Sequence, residues 1–272
     1  MKRTTFVLAV ILLPVLLAAI PGRKVKEEGY NLYKNTTLGM DGLRISKFEV
    51  SNEEYKEFLV ALIDENKVDS IPVYAPDVEV WLRDLAFNDP YANYYFSHKA
   101  FRKYPVVGVT YEAAQAFCEW KTRRFGEMVL GRKDTAHFRF RLPTAEEWMQ
   151  FAEAETPSRG FWPGGVAYPR SHKGDFEFNH KLGEGDYAGW AGGKGHDYEG
   201  YMITAPVSSF RNKNLNLCNM AGNVSEMVEE KGMAKGGSWA HLADQCRIKA
   251  VQQYDEPMAW LGFRYVVERI EK

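Results

Sequence analysis

The sequence predicts an irregular α+β fold with little regular secondary structure, and three observations carry that expectation. Short apolar runs lead directly into amphipathic segments opened by a Ser or Thr. Long stretches rich in Gly, Asp and aromatic residues separate these units and show no sustained hydrophobic period. Aromatic residues make up 14% of the chain, alongside 23 glycines, a composition suited to rings filling space between turns. No internal repeat or low-complexity tract is visible.

Taken in order, the chain opens with Lys2 and Arg3, then an apolar run from Thr4 to Ile20 interrupted by Pro14. Ala18 and Ala19 offer small residues for cleavage, so residues 1–20 read as a signal peptide. The competing reading, an uncleaved anchor, is disfavoured by the proline and the short run. No cysteine lies near residue 20, which leaves no acceptor for a lipid. Residues 21–40 are polar and mixed and read as a flexible lead-in, with the folded domain over 41–272.

Within that domain, Leu43–Val50 alternates enough for a strand. Ser51 and Glu54 have capping-box spacing, and Tyr55, Phe58, Leu59 and Leu62 follow on one helical face. Residues 66–103 contain several prolines and many large apolar residues, which predicts a packed irregular excursion. Val106–Val109 reads as a short strand, and Thr110 caps a helix burying Ala114, Phe117, Cys118 and the stem of Lys121. Phe138–Leu142 reads as a strand. Thr144 and Glu147 form a second capping box, with Trp148 and Phe151 facing inward. The long stretch after that helix would need something other than hydrogen-bond ladders to order it, and bound metal ions would serve.

The formal net charge is −1, and loss of Lys2 and Arg3 with a signal peptide takes it to −3. Such a balance gives no support for nucleic-acid binding, which needs a basic stripe or excess. Cys118, Cys218 and Cys246 allow at most one internal disulfide, so the chain is not a disulfide scaffold. Cys118 and Cys246 read as buried small hydrophobes. The six histidines (His98, His137, His172, His180, His196 and His241) show no ligand spacing. No dinucleotide fingerprint, phosphate loop, nucleophile elbow or zinc-protease motif occurs.

The segment Asn219-Met220-Ala221-Gly222-Asn223-Val224-Ser225-Glu226 crowds amide, carbonyl and carboxylate oxygens around a glycine. That chemistry suits a hard cation such as calcium, and it equally suits a tight turn with a capping Asn. Upstream stands Arg141-Leu142-Pro143-Thr144-Ala145-Glu146-Glu147-Trp148; downstream stand Gly236-Gly237-Ser238-Trp239 and Gly262-Phe263-Arg264. These four blocks, in this order, resemble the formylglycine-generating enzyme, or sulfatase-modifying-factor, family. Lys47-Phe48-Glu49-Val50-Ser51-Asn52-Glu53-Glu54-Tyr55 and Tyr104-Pro105-Val106-Val107-Gly108-Val109-Thr110 resemble it too, so the likeness spans about residues 41–268.

Two further strings, Tyr94-Tyr95-Phe96-Ser97-His98 and Gly164-Gly165 followed by Arg170-Ser171-His172-Lys173-Gly174, resemble a branch of gliding-motility and type IX secretion lipoproteins. Members of that branch are regarded as structural components of the envelope. The absent lipid-acceptor cysteine departs from it.

The resemblance implies an irregular fold related to C-type lectins and two calcium sites. One would use Asn219, the carbonyls of Gly222 and Val224, and Glu226. The other would use Asn179 with the carbonyl of His180, then Glu199 with the carbonyl of Tyr201; Glu199 stands where Asp is usual, and Asp197 is an alternative. The family's oxidases hold copper with two cysteines shortly after the Gly-Gly-Ser block. Here those positions carry His241 and Cys246, which cannot form a two-thiolate Cu(I) site. The resemblance to the iron-dependent sulfoxide synthases stops short, because their additional three-histidine helical domain has no counterpart here. The expectation is therefore an exported, non-catalytic domain located in the periplasm, the envelope or outside the cell, stabilised by calcium and without copper. Its partners would be envelope or secretion-system proteins, with membrane contact only if the N-terminal run stays uncleaved. The alternatives are an active oxidase using His241 and Cys246, and a carbohydrate-binding lectin-like module.

Overall fold

The computed structural model describes residues 32–39, 42–83, 88–129, 137–154, 161–183, 203–211 and 216–270. The expected signal peptide lies outside them, as do Glu199 and Tyr201. Two small four-stranded sheets and three main helices frame the domain. Strands β1 (Thr36–Leu38), β2 (Arg44–Ser46), β3 (His137–Arg141) and β8 (Val266–Ile270) form one sheet in the order β1-β2-β8-β3, antiparallel throughout. Strands β4 (Ser225–Met227), β5 (Met233–Lys235), β6 (Gln252–Gln253) and β7 (Leu261–Gly262) form the other in the order β6-β5-β4-β7, with β4 and β7 parallel. The mixed helix and sheet content and its modest regularity match the predicted class.

Helix α1 (Asn52–Asp64) starts at Ser51, whose Oγ accepts from Glu54 N at 3.3 Å. The return half of that box is replaced: Glu54 receives Lys121 Nζ of helix α2 (Tyr111–Val129) at 2.5 Å, tying the two helices together. Thr110 caps α2 through Ala113 N at 3.1 Å. Helix α3 (Ala145–Ala154) has the complete box, with Glu147 N to Thr144 Oγ1 at 3.1 Å and Thr144 N to Glu147 Oε2 at 2.8 Å. The main core lies between α1, α2 and the sheets. Tyr55 stacks on Phe117 at 5.7 Å, and Phe263 meets Phe117 edge-on at 5.4 Å. Aromatic pairing of this kind adds to area burial.

Three expectations shift. Residues 32–38, expected within the flexible lead-in, are part of the fold, because Leu32 is buried and Thr36–Leu38 pairs with β2. The strand expected over Leu43–Val50 ends at Ser46, whose hydroxyl donates to Phe48 O at 2.6 Å and bends the chain. Val106–Val109 is not a strand. Gly108 sits at φ +74°, with Asp77 N donating to its carbonyl at 2.7 Å, so the extended backbone stops there. Cys118, Cys218 and Cys246 are buried and none is in a disulfide. Among the described residues no helix is long and apolar enough to cross a membrane.

Candidate functional site

The Asn219–Glu226 segment needs left-handed backbone at three places: Asn219 at φ +54°, Gly222 at +72° and Asn223 at +63°. Glycine and asparagine tolerate this region best. Gly222 is required for a second reason. A Cβ there would lie 2.1 Å from the carbonyl oxygen of Asn179, whose loop presses on the turn. Asn223 N donates to that same oxygen at 2.8 Å.

The turn delivers Glu226 to β4, where its side chain is fully buried. Arg264 grips it from Nε to Oε2 and from Nη2 to Oε1, both at 2.5 Å, and Trp148 Nε1 donates to Oε2 at 2.7 Å. Arg264 also donates to Ser46 O at 3.1 Å and Cys218 O at 2.8 Å. Beside this pair lies Glu49, which sequence reasoning missed. Asn219 Nδ2 donates to its Oε2 at 2.8 Å, Asn223 Nδ2 reaches both oxygens at 2.9 Å, and Val224 N approaches Oε1 at 3.4 Å. Burial, and then the nearby Glu226 carboxylate, push the Glu49 carboxyl up to about 8; Arg264 and the two amides act the other way. The available clue was an acid flanked by Phe48 and Val50 in an apolar run.

These contacts test the first expected calcium set. Asn219 Oδ1 is buried and has no hydrogen-bond partner, which suits a cation ligand. Glu226 does not fit: both its oxygens already face a guanidinium, and a dication bound there would sit against that positive charge. Among the described residues no group of three or more His, Cys, Asp and Glu could hold a metal. In the second set, Asn179 Oδ1 is also buried and unpartnered, while its Nδ2 donates to Ile203 O at 2.7 Å. That oxygen is free for a cation, and the His180 carbonyl follows it in sequence. The His180 side chain is buried, with Nδ1 against Phe178 O at 3.0 Å.

The His–Cys pair sits on the loop after Gly236-Gly237-Ser238-Trp239. His241 Nδ1 is 2.6 Å from Ser238 Oγ, and its ring meets Trp260 edge-on at 4.9 Å. Burial, with a smaller effect of the Lys181 charge, pulls the imidazole down to about 4, so it is neutral at pH 7. Cys246 is fully buried among Trp162, Phe178 and Ala221, and its Sγ faces Leu242 O at 3.6 Å. Burial pushes the thiol up to about 12 despite backbone donors at Ser238 and Gly222. With no metal beside it, a thiol in that state stays protonated at neutral pH and is a poor nucleophile.

The family model of the sulfatase-modifying factor enzyme 1-like domain matches residues 21–269, and the chain belongs to that family. A Bos taurus protein named inactive C-alpha-formylglycine-generating enzyme 2 is 30% identical over 152 residues, covering 52% of this chain and 40% of the relative. The match thus spans less than half of that relative's length. Among solved structures, PvdO from Pseudomonas aeruginosa superposes with a TM-score of 0.55 at 18% identity, over 83% of this chain and 80% of that one. Treponema denticola variable protein 1 gives 0.49 at 18% identity, over 85% of this chain and 91% of that one. The PvdO likeness supports the fold.

Proposed function

We propose that this chain is a non-catalytic member of the family that works by binding, as a structural component of an envelope or secretion assembly. The state of the His241–Cys246 pair carries the reading. Copper oxidation of a substrate cysteine needs soft thiolates; this chain offers a neutral imidazole tied to Ser238 and a buried, protonated thiol. The Bos taurus relative named inactive supports it. The placement in an envelope assembly of the gliding-motility or type IX type is supported by the strings Tyr94–His98 and Arg170–Gly174, and export by the N-terminal charge and apolar run.

We also propose a calcium ion at the Asn179 loop, held by Asn179 Oδ1 and the His180 carbonyl and completed by Glu199 and Tyr201, which lie outside the described residues. A calcium ion there would tie that loop to the Gly222 turn and supply order, not chemistry. Two measurements test the proposal. Elemental analysis of purified protein should find calcium without stoichiometric copper. Affinity capture from an envelope extract of the native host should recover the same envelope proteins in repeated trials. Stoichiometric copper, or capture of nothing beyond a bead control, would overturn the respective half.

A further inference from the structure

We infer that Arg264 is the resident cation of the Asn219–Glu226 signature loop, which is therefore a metal-free lock and not a calcium site. The evidence is the direction in which each group is committed. Glu226 is the only carboxylate within the loop, and both its oxygens are bound by the Arg264 fork and by Trp148. A bidentate arginine is among the strongest partners a carboxylate has. The remaining Arg264 donors reach Ser46 O and Cys218 O, so the guanidinium is anchored from several sides and is itself 0% exposed. Asn219 is turned by Glu49 and Pro206 O through its Nδ2, which leaves one neutral amide oxygen facing the turn. Calcium takes six to eight oxygens and favours carboxylates. One neutral oxygen and backbone carbonyls, next to a fixed and fully buried guanidinium, are a poor match.

The inference explains why the signature is spread over four distant segments. Glu49, Trp148, the Asn219–Glu226 loop and Arg264 close on one buried node, and Arg264 reaches on to the Ser46 carbonyl, 218 positions away. The loop's sequence pattern is that of an ion pair with its supporting amides, and its order does not depend on dissolved metal.

The test compares the folded protein with its Asn219→Ala, Asn179→Ala and Arg264→Lys variants. Calcium stoichiometry is read by calorimetric titration, and melting temperature is read in calcium and in chelator. The lock predicts that Asn219→Ala lowers the melting temperature equally in both buffers and leaves calcium stoichiometry at the wild-type value. Arg264→Lys, which keeps the charge and loses the fork, should lower it in both buffers by about 5 °C or more. If Arg264→Lys does not fold, Asn219→Ala decides alone. A calcium ion that Asn219→Ala loses and Asn179→Ala keeps would overturn the lock. Wild-type protein that takes up no calcium supports the lock and instead refutes the proposed ion at Asn179, so the two readings fail separately.

Discussion

Gly237 lies directly over Cys246. A Cβ on residue 237 would stand 2.4 Å from Cys246 Sγ and 2.8 Å from its Cα, and the glycine is held at φ +66°. The second glycine of the Gly-Gly-Ser block is thus a packing requirement of the thiol beneath it, and neither position needs a reaction to explain it.

Gly237→Ala should therefore destabilise the domain on two counts. The left-handed backbone alone costs an L-residue roughly 1–2 kcal/mol, and the clash adds to that. A fall in melting temperature of about 5 °C or more is expected by calorimetry. An unchanged transition would show that the loop relaxes freely and that the close approach is not a constraint.

Cys246 should resist alkylation in the native protein at pH 7–8 and react once the chain is unfolded. Its thiol is buried and held protonated, whereas an unfolded cysteine ionises near 8.5. Because the folded value is raised, stability falls as pH rises above that unfolded value. Iodoacetamide labelling followed by peptide mass spectrometry checks the first point; rapid native labelling at Cys246 would contradict it.

Glu49 sets a second pH dependence. Its folded value is raised from 4.5 to about 8, so between those limits the unfolded chain releases a proton that the folded chain keeps. Its contribution to stability is present at low pH and declines as pH rises from about 4.5 to about 8. The difference in melting temperature between wild type and Glu49→Gln should shift steadily in favour of the variant across that window. A difference that does not change with pH would show that Glu49 is ionised in the fold.

Trp148→Phe keeps an aromatic ring on the inward face of α3 but removes the indole donor to Glu226 and leaves a small cavity at a fully buried position. The lost bond to a buried carboxylate should cost about 1–3 kcal/mol. Chemical denaturation should show a lower midpoint with an unchanged slope. No loss would mean that Arg264 alone satisfies Glu226.

The three main helices were legible because each begins at a capping residue whose partner lies three positions on and whose buried face follows the helical period. The half-formed box at Ser51 shows the limit of that reading: Glu54 prefers Lys121, a partner from another helix that local spacing cannot reveal. The strands were less legible. Ser46 and Gly108 stop extended segments through a hydroxyl bond and a left-handed backbone, both invisible to hydrophobic patterning. At the candidate site, the turn residues Asn219, Gly222 and Asn223 announced their geometry in sequence. Glu49 did not, because its amide partners lie 170 and 174 residues away. The pairing of Glu226 with Arg264 was hidden for the same reason, which is why the oxygen content left a metal open at that loop and the family resemblance pointed to one.

The central claim is that this domain does not oxidise a substrate cysteine. The most direct measurement incubates copper-supplemented protein and oxygen with a peptide bearing the sulfatase cysteine motif, then determines the peptide mass beside a Cys246→Ser control. The account predicts an unchanged peptide with both proteins. Conversion of the cysteine to the aldehyde by the wild type alone would contradict it, and would show that His241 and Cys246 suffice for catalysis.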